Sequence, residues 1–223
     1  MYVSRYMTRN PLTVKADVLI PEAREILRSH HFRHLPVIDD RGCLLGMVTD
    51  RDIRSAYPSS VSSEADRQKV LEEIAGTSVR VIMSADTVTL LPQSTLDDAL
   101  LLLEKKRVGA FPVVNEDGVV IGVFSIRDLI RAYSGLFGLG ERGSGLVAIE
   151  DDGEPDILRR IVRVLEEGDI PFTRLIRAQS PEGPAPHAAV YVRVQTYNMT
   201  AVHAALKAAG LKLAGPNVSR PGK

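Results

Sequence analysis

The chain has 223 residues, 44% of them apolar and 25% charged, with Lys+Arg and Asp+Glu both at 28. That length suits two domains of ordinary size or one large one, and that composition a globular protein with a buried core, while the even charge (17 basic against 18 acidic residues up to Tyr133, 11 against 10 after it) excludes the basic tail that binds nucleic acid through phosphates. A lone cysteine, Cys43, excludes an intrachain disulfide; the polar opening "MYVSRYMTRNP" is unlike a signal peptide, and no run of about 18 apolar residues is present to cross a membrane. The expectation is a cytoplasmic protein with no nucleic-acid or membrane partner.

The first 133 residues are organised by a repeat. Met7 and Met83, Ala23 and Ala99, Leu27 and Leu103, Pro36 and Pro112, Gly42 and Gly118, Gly46 and Gly122, Arg51 and Arg127, Asp52 and Asp128, and Tyr57 and Tyr133 all stand 76 apart. The offset holds without a gap, so residues 3–57 and 79–133 are two copies of one unit. Each copy predicts a short apolar segment ("PLTV", "TVTL") and then a helix. The first helix, "PEAREILRSHH", opens with Pro21 and sets Ala23, Ile26 and Leu27 on one face; Leu96, Ala99, Leu100 and Leu103 do the same in the second. A strand follows ("HLPVID", "AFPVVN"), then a turn at Gly42 or Gly118. A second strand ("CLLGMVT", "VVIGVFS") runs into a second helix ("DIRSAY", "DLIRAY"). The order β-α-β-β-α makes an α/β sandwich with helices over one face of a small sheet. Between the copies, 58–78 predicts a connecting helix that starts at Ser62, Ser63 and Glu64 and carries a stripe of Val70, Leu71 and Ile74.

Residues 134–144 predict a flexible linker. They contain "GLGERG", whose three glycines match a dinucleotide fingerprint, but a helix precedes it and a strand follows, the reverse of what that fingerprint needs. From residue 145 the pattern changes. "GLVAIE" is a strand, and "PDILRRIVRVLEEGDI" an amphipathic helix with Ile157, Leu158, Ile161, Val164 and Leu165 on one side. "FTRLIRAQS" and "HAAVYVRVQT" are strands joined by the turn-rich "PEGPAP". "NMTAVHAALKAAG" is a helix between Asn198 as N-cap and Gly210 past its end, and "LKLAG" a closing strand. The order βαββαβ is ferredoxin-like.

The chemistry of the repeat lies where each last strand meets its helix. "GMVTDRDI" and "GVFSIRDL" both place a hydroxyl, two spacers and a carboxylate there: Thr49 with Asp52, and Ser125 with Asp128. Thr or Ser can donate to a phosphate oxygen, and an ionised Asp accepts from the two hydroxyls of a ribose. The same residues at a strand-to-helix junction also serve as plain N-caps, worth about 1 kcal/mol, and both readings stand. His30 and His34 are spaced i, i+4, which suits a metal on a helix, but no Glu or Cys completes a set and Arg28 and Arg33 would repel a cation. Cys43 begins an apolar strand without a base partner and reads as packing.

The motifs "RHLPVIDDRGCLLGMVTDRDI" and "VGAFPVVNEDGVVIGVFSIRDL", in fixed register, resemble cystathionine-β-synthase (CBS) domains paired as a Bateman module, over roughly residues 1–133. The resemblance implies adenosine nucleotides (AMP, ADP, ATP or S-adenosylmethionine) held in the clefts of the pair. It carries over a hydroxyl and carboxylate in each copy, Thr49 and Asp52 or Ser125 and Asp128. Backbone of the leading segments would join them (Asn10, Pro11 and Leu12; Asp86, Thr87 and Val88), with residues of the proline strand around the base (Leu35 and Pro36; Ala110, Phe111 and Pro112). Arg51 and Arg127 would pair with phosphate, and His34 is a further polar candidate.

Residues 145–215 resemble an ACT domain, through element order and "GEPDILRRIVRVLEE". That family commonly binds amino acids at the first strand-to-helix turn, here Asp152 to Asp156. Five acids between Glu150 and Asp156 would repel an amino-acid carboxylate, so the resemblance implies dimerisation through sheet edges first and amino-acid sensing second. A CBS pair followed by an ACT-like domain is similar to the AcuB-type proteins of acetoin utilisation. The expected fold is thus α/β (α+β): a tandem CBS pair, then a ferredoxin-like ACT-like domain. The expected function is a stand-alone regulatory sensor, a homodimer whose nucleotide-bound state a protein partner reads. An enzyme is disfavoured, since no nucleophile–base pair, metal set or cofactor motif is evident. A structural protein with empty clefts is the alternative.

Overall fold

The structure, a computed structural model, describes residues 1–59, 61, 63–180 and 187–214. Ser62, the turn 181–186 and Gly215, all part of the expectations above, lie outside the described residues. The chain divides into two compact units, Met1–Ala132 and Tyr133–Lys223.

In the first unit, β1 (Thr8–Arg9), β2 (Val14–Lys15), α1 (Ile20–Ser29), β3 (His34–Ile38), β4 (Leu44–Thr49) and α2 (Asp50–Ala56) form the first copy of the repeat. Helix α3 (Glu64–Ala75) connects it to α4 (Leu96–Lys106), β5 (Ala110–Val114), β6 (Val120–Ser125) and α5 (Ile126–Phe137). The hairpins β3–β4 and β5–β6 turn alike. Gly42 and Gly118 take φ of 85° and 79°, a region open to glycine because it has no Cβ. Asp39 Oδ1 accepts the N–H groups of Arg41 and Cys43 at 2.9 and 2.8 Å, and Asn115 Oδ1 those of Asp117 and Val119 at 3.1 and 2.9 Å.

The leading segments do not join the sheets of their own copies. Strand β1 pairs antiparallel with β6 of the second copy, Thr8 opposite Val123 and Arg9 opposite Gly122. Ser84, at the equivalent place, bridges Met47 on β4 of the first copy. Only then does the chain return: β2 lies parallel to β3 with Val14 opposite Val37, and Leu90 bridges Val113 in parallel. The same reciprocity runs through the loops. Val3 N–H donates to Ser94 O at 2.9 Å and Val79 N–H to Val18 O at 2.8 Å. Cys43 bridges Val119, its own equivalent, so the pseudo-twofold axis passes between them. Two glycines let the exchanged segments in. A Cβ on Gly46 would stand 2.7 Å from Ser84 O, and one on Gly122 2.5 Å from Met7 Sδ.

Several expected details shift. Strand β4 begins after Cys43, and "TVTL" contributes a bridge rather than a strand. Helix α1 ends at Ser29, leaving His30 and His31 beyond it and His34 on β3, so the two histidines never share a helix; His30 stacks on Phe32 instead, with ring centres 5.4 Å apart. Leu71 and Leu100 are exposed, because Ile74 in α3, and Leu96, Ala99 and Leu103 in α4, already fill the inward faces.

The second unit has β7 (Gly145–Glu150), α6 (Ile157–Glu167), β8 (Phe172–Ser180), β9 (His187–Val194) and α7 (Met199–Ala208). The sheet runs β7-β9-β8, all antiparallel, and Leu213 bridges Ile149 on the free side of β7. Val147, Ile149, Val190 and Val192 pack on Ile157, Ile161 and Leu165 of α6 and on Val202 and Leu206 of α7. Asn198 caps α7 by accepting the Ala201 N–H at 3.1 Å. The expected flexible linker 134–144 is not free. Residues 134–137 complete α5, and Arg174 holds the carbonyls of Leu136 and Gly135 at 2.8 and 2.9 Å. No helix among the described residues is long and apolar enough to cross a membrane.

Because the Ser84 carbonyl cannot yield like a flexible side chain, Gly46→Ala should destabilise the first unit by about 1–3 kcal/mol. Urea denaturation would read this as a lower midpoint.

Candidate functional site

Both hydroxyl–carboxylate pairs are closed on themselves. Asp52 Oδ2 accepts the Thr49 N–H at 2.8 Å and the Thr49 hydroxyl at 2.7 Å, while Thr49 Oγ1 accepts the Asp52 N–H at 3.2 Å. In the second copy Asp128 Oδ2 accepts the Ser125 N–H and hydroxyl at 2.9 and 2.7 Å. The first is a capping box, in which orphan donors at a helix start are satisfied reciprocally, and the second shows the carboxylate's half of one. The same arrangement holds Thr95 to Asp98 at the start of α4, and a similar one holds Ser63 to Asp66 at the start of α3. The hydroxyl proton expected to reach a phosphate is therefore committed to the carboxylate.

The second oxygens differ between the copies. Asp128 is 4% exposed and its Oδ1 is paired with Arg131 at 3.3 Å. Asp52 is half-buried, and its Oδ1 has no partner among the described residues. Arg131, invisible to a motif reading, is thus what separates the two sites. Arg51 and Arg127 are both exposed at the first turns of α2 and α5, without a partner among the described residues.

His34 faces Thr49 across the β3–β4 ladder, as Ala110 faces Ser125. A Cβ on Gly109 would stand 3.0 Å from His34 Cε1, so the imidazole lies against the second copy where only glycine leaves room. Burial, and then the Arg33 guanidinium, hold its pKa below the ordinary value, against an opposing pull from Asp52. Leu35 and Phe111 are core side chains with almost no exposure, and Pro36, Pro112 and Ala110 are buried beside them. What these strands can offer a ligand is backbone. Asn10 takes φ of 46° and donates its N–H to Ile121 O at 3.2 Å. Pro11 and Leu12 then lead into β2. On the other side Asp86 is exposed, Thr87 is tied to Ser84 O at 2.7 Å, and Val88 is half-buried.

The CBS-domain profile matches residues 3–59 and 78–135, the two interlocked copies just described. The chain belongs to the CBS-domain family. A CBS domain-containing protein from Dictyostelium discoideum is 31% identical over 128 residues, 57% of this chain and 88% of its own length. The chain spans far less of the enzymes it matches: 23% of homoserine O-acetyltransferase from Methanocorpusculum labreanum, at 33% identity over 129 residues. Among solved structures, CBSX2 in complex with AMP is 28% identical with a TM-score of 0.52, covering 61% of this chain and 98% of its own. An acetoin utilization protein (AcuB) of Vibrio cholerae is 26% identical with a TM-score of 0.53, covering 63% and 96%. A CBS-domain pair in complex with 5′-methylthioadenosine and S-adenosyl-L-methionine is 25% identical with a TM-score of 0.51, covering 61% and 98%. The C-terminal sheet with its helices lies beyond the residues that the family profile matches.

The depressed pKa of His34 means that the fold favours the neutral ring. Its contribution to stability is present above the ordinary value of 6.5 and is lost as pH falls through the lower folded value. Denaturation midpoints of the parent chain should therefore drop more steeply than those of His34→Gln as pH falls from 6.5 towards the lower folded value.

Proposed function

We propose that the chain is a regulatory CBS-pair protein that binds an adenosine nucleotide at the first copy's site, with Asp52 accepting the ribose hydroxyls and Arg51 meeting phosphate. The observation that carries this reading is the open Oδ1 of Asp52 beside the closed, arginine-paired Oδ1 of Asp128. A carboxylate already holding a cap through one oxygen keeps the other for a diol, and the cap fixes its direction. The complexes of CBSX2 with AMP and of a related pair with S-adenosyl-L-methionine support the ligand class. Thr49, His34 and the backbone of Asn10, Pro11 and Leu12 complete the site, and Leu35 and Pro36 floor it. In the second copy Asp86, Thr87, Val88, Ala110, Phe111, Pro112, Ser125 and Arg127 take the equivalent places, with Asp128 serving structure. A protein partner reads the bound state, and the likeness to AcuB makes acetoin utilisation the context to examine first.

The last unit we read as ferredoxin-like and ACT-like, spanning 145–215, on its βαββα order and its antiparallel sheet, where an isolated bridge at Leu213 stands in for the closing strand on the far edge. Three of the five acids of this turn, Asp151, Asp152 and Asp156, are paired with arginines within the unit. The Arg177 guanidinium and the Gly153 N–H lower the pKa of Asp151, and Arg160 and the Glu154 N–H lower that of Asp152. We read the assembly as a homodimer. Leu100, Leu101, Ile126 and Ile130 are 42%, 64%, 50% and 60% exposed on α4 and α5, where the first copy has Arg24, Glu25, Asp50 and Arg54. An apolar face of this kind marks an interaction site, and a twofold contact lets it cover itself.

One observation favours the alternative of empty clefts: capping boxes of the same geometry occur at Thr95, where no ligand is expected. Calorimetric titration with AMP, ADP, ATP and S-adenosylmethionine separates the two readings. Asp52→Ala should weaken the best ligand about tenfold or more, since each hydrogen bond to a charged group is worth about 1.5–3 kcal/mol. Asp128→Ala should lower the melting temperature and leave affinity within about threefold. Equal affinity in the parent and Asp52→Ala, or no binding at millimolar levels, would sink the nucleotide reading and leave caps alone. For the assembly, light scattering should give a dimer for the parent chain and a monomer for Leu101→Glu with Ile130→Glu; an unchanged mass places the contact elsewhere.

A further inference from the structure

Two arginines stand side by side in the second unit. Arg174 on β8 is the cross-strand neighbour of Arg193 on β9, just after a register shift between Phe172 and Arg174. Like charges opposite one another on adjacent strands repel, and a bulge is a common way to re-aim a side chain. Arg193 is 8% exposed. Its Nη1 donates to Ser144 Oγ at 3.2 Å, whose hydroxyl donates in turn to Glu141 O at 2.9 Å, and its Nε, shielded from solvent, has no hydrogen-bond partner among the described residues. A buried guanidinium with an unmet donor is costly unless an anion stands near it.

The segment before β7 brings one anion. Glu141 places its carboxylate on Arg174 Nη1, Oε1 at 2.6 Å and Oε2 at 2.8 Å. Gly138, at φ of 65°, makes the space: a Cβ there would stand 2.7 Å from Arg193 Cδ, 2.8 Å from Arg174 Nη1 and 2.9 Å from Glu141 Oε2. Gly138, Gly140 and Gly143 all take positive φ, so the strap 138–144 follows a path that side chains on those residues would oppose.

We propose that Arg193, Arg174 and Ser144 form a binding site for an oxyanion, a phosphate or carboxylate group, and that Glu141 occupies it in this structure as an internal surrogate. An incoming oxyanion takes the place of Glu141 on Arg174 and also meets the unmet Nε of Arg193, and as the strap shifts it takes over the Ser144 hydroxyl from the Glu141 carbonyl. The strap then loses its main ionic tie to the sheet. The site lies wholly in the second unit and does not depend on nucleotide binding at Asp52.

The test uses the full chain without nucleotide, titrated separately with inorganic phosphate and with acetate by calorimetry. Glu141→Gln, which removes the competing charge and keeps the shape, should bind one of the two about tenfold more tightly than the parent. Adding Arg193→Met to it should abolish that gain, and adding Ser144→Ala, which spares the buried charge, should reduce it severalfold with an unchanged circular dichroism spectrum. The anion that gains assigns the class, phosphate or carboxylate. In the parent chain the same anion should speed tryptic cleavage after Arg142, within the strap. Equal affinities in the parent and Glu141→Gln would overturn the proposal, leaving Glu141 as a fastener only. So would a gain that survives both added substitutions, or one that disappears with Asp52→Ala and so belongs to the nucleotide cleft.

Discussion

The first unit depends on an exchange of leading segments. Each small sheet is finished by residues that precede the other copy: Thr8 and Arg9 on β6, Ser84 on β4. Three strands of two to six residues make a poor sheet alone. Lending an edge to one another supplies backbone partners to both sheets and buries Val3, Met7 and Val79 between them. The glycines at 46 and 122 follow from this, since a side chain at either would meet the incoming segment. So does the closeness of His34 to Gly109, which sets a titratable ring of one copy against the backbone of the other.

Much of this was legible in the residues. The constant offset named the two helices and the hairpin of each copy but not β1, because the spacing of apolar residues is dictated by burial and both copies bury the same faces. Gly42, Gly118, Pro21, Asn198 and Gly210 marked turns and helix ends through backbone chemistry that acts locally. The exchange itself was not legible. A repeat fixes what each copy contains, and an edge strand carries no local sign of which sheet it will complete. Periodicity puts Leu100 inside, but three residues at 96, 99 and 103 already span the inward face. The glycines of 134–144 suggest a loose linker. Its anchors, Arg174 and Arg193, come 30 residues and more later, a distance at which charge patterning says little.

The site shows the same division. Hydroxyl, two spacers and carboxylate stand at both junctions, and the spacing is what a capping box requires as much as what a ribose requires. The two demands are compatible in the first copy, where one oxygen of Asp52 serves the helix and the other is open. In the second copy Arg131 takes the remaining oxygen of Asp128. Its counterpart 76 residues earlier is Ser55, too short to do the same. A single side chain one turn along the helix thus separates two junctions whose motifs look alike.

Reciprocal lending also changes what it means to cut this chain. A nick within α3 would leave two fragments still sewn together by β1 on β6 and by Ser84 on β4. Conversely, either copy produced alone would expose a bare strand edge and an orphaned leading segment that fit each other, inviting fragments to thread into one another. The covalent link between the copies is therefore a guide for assembly more than a clasp, and the cohesion of the pair is a property of its weave.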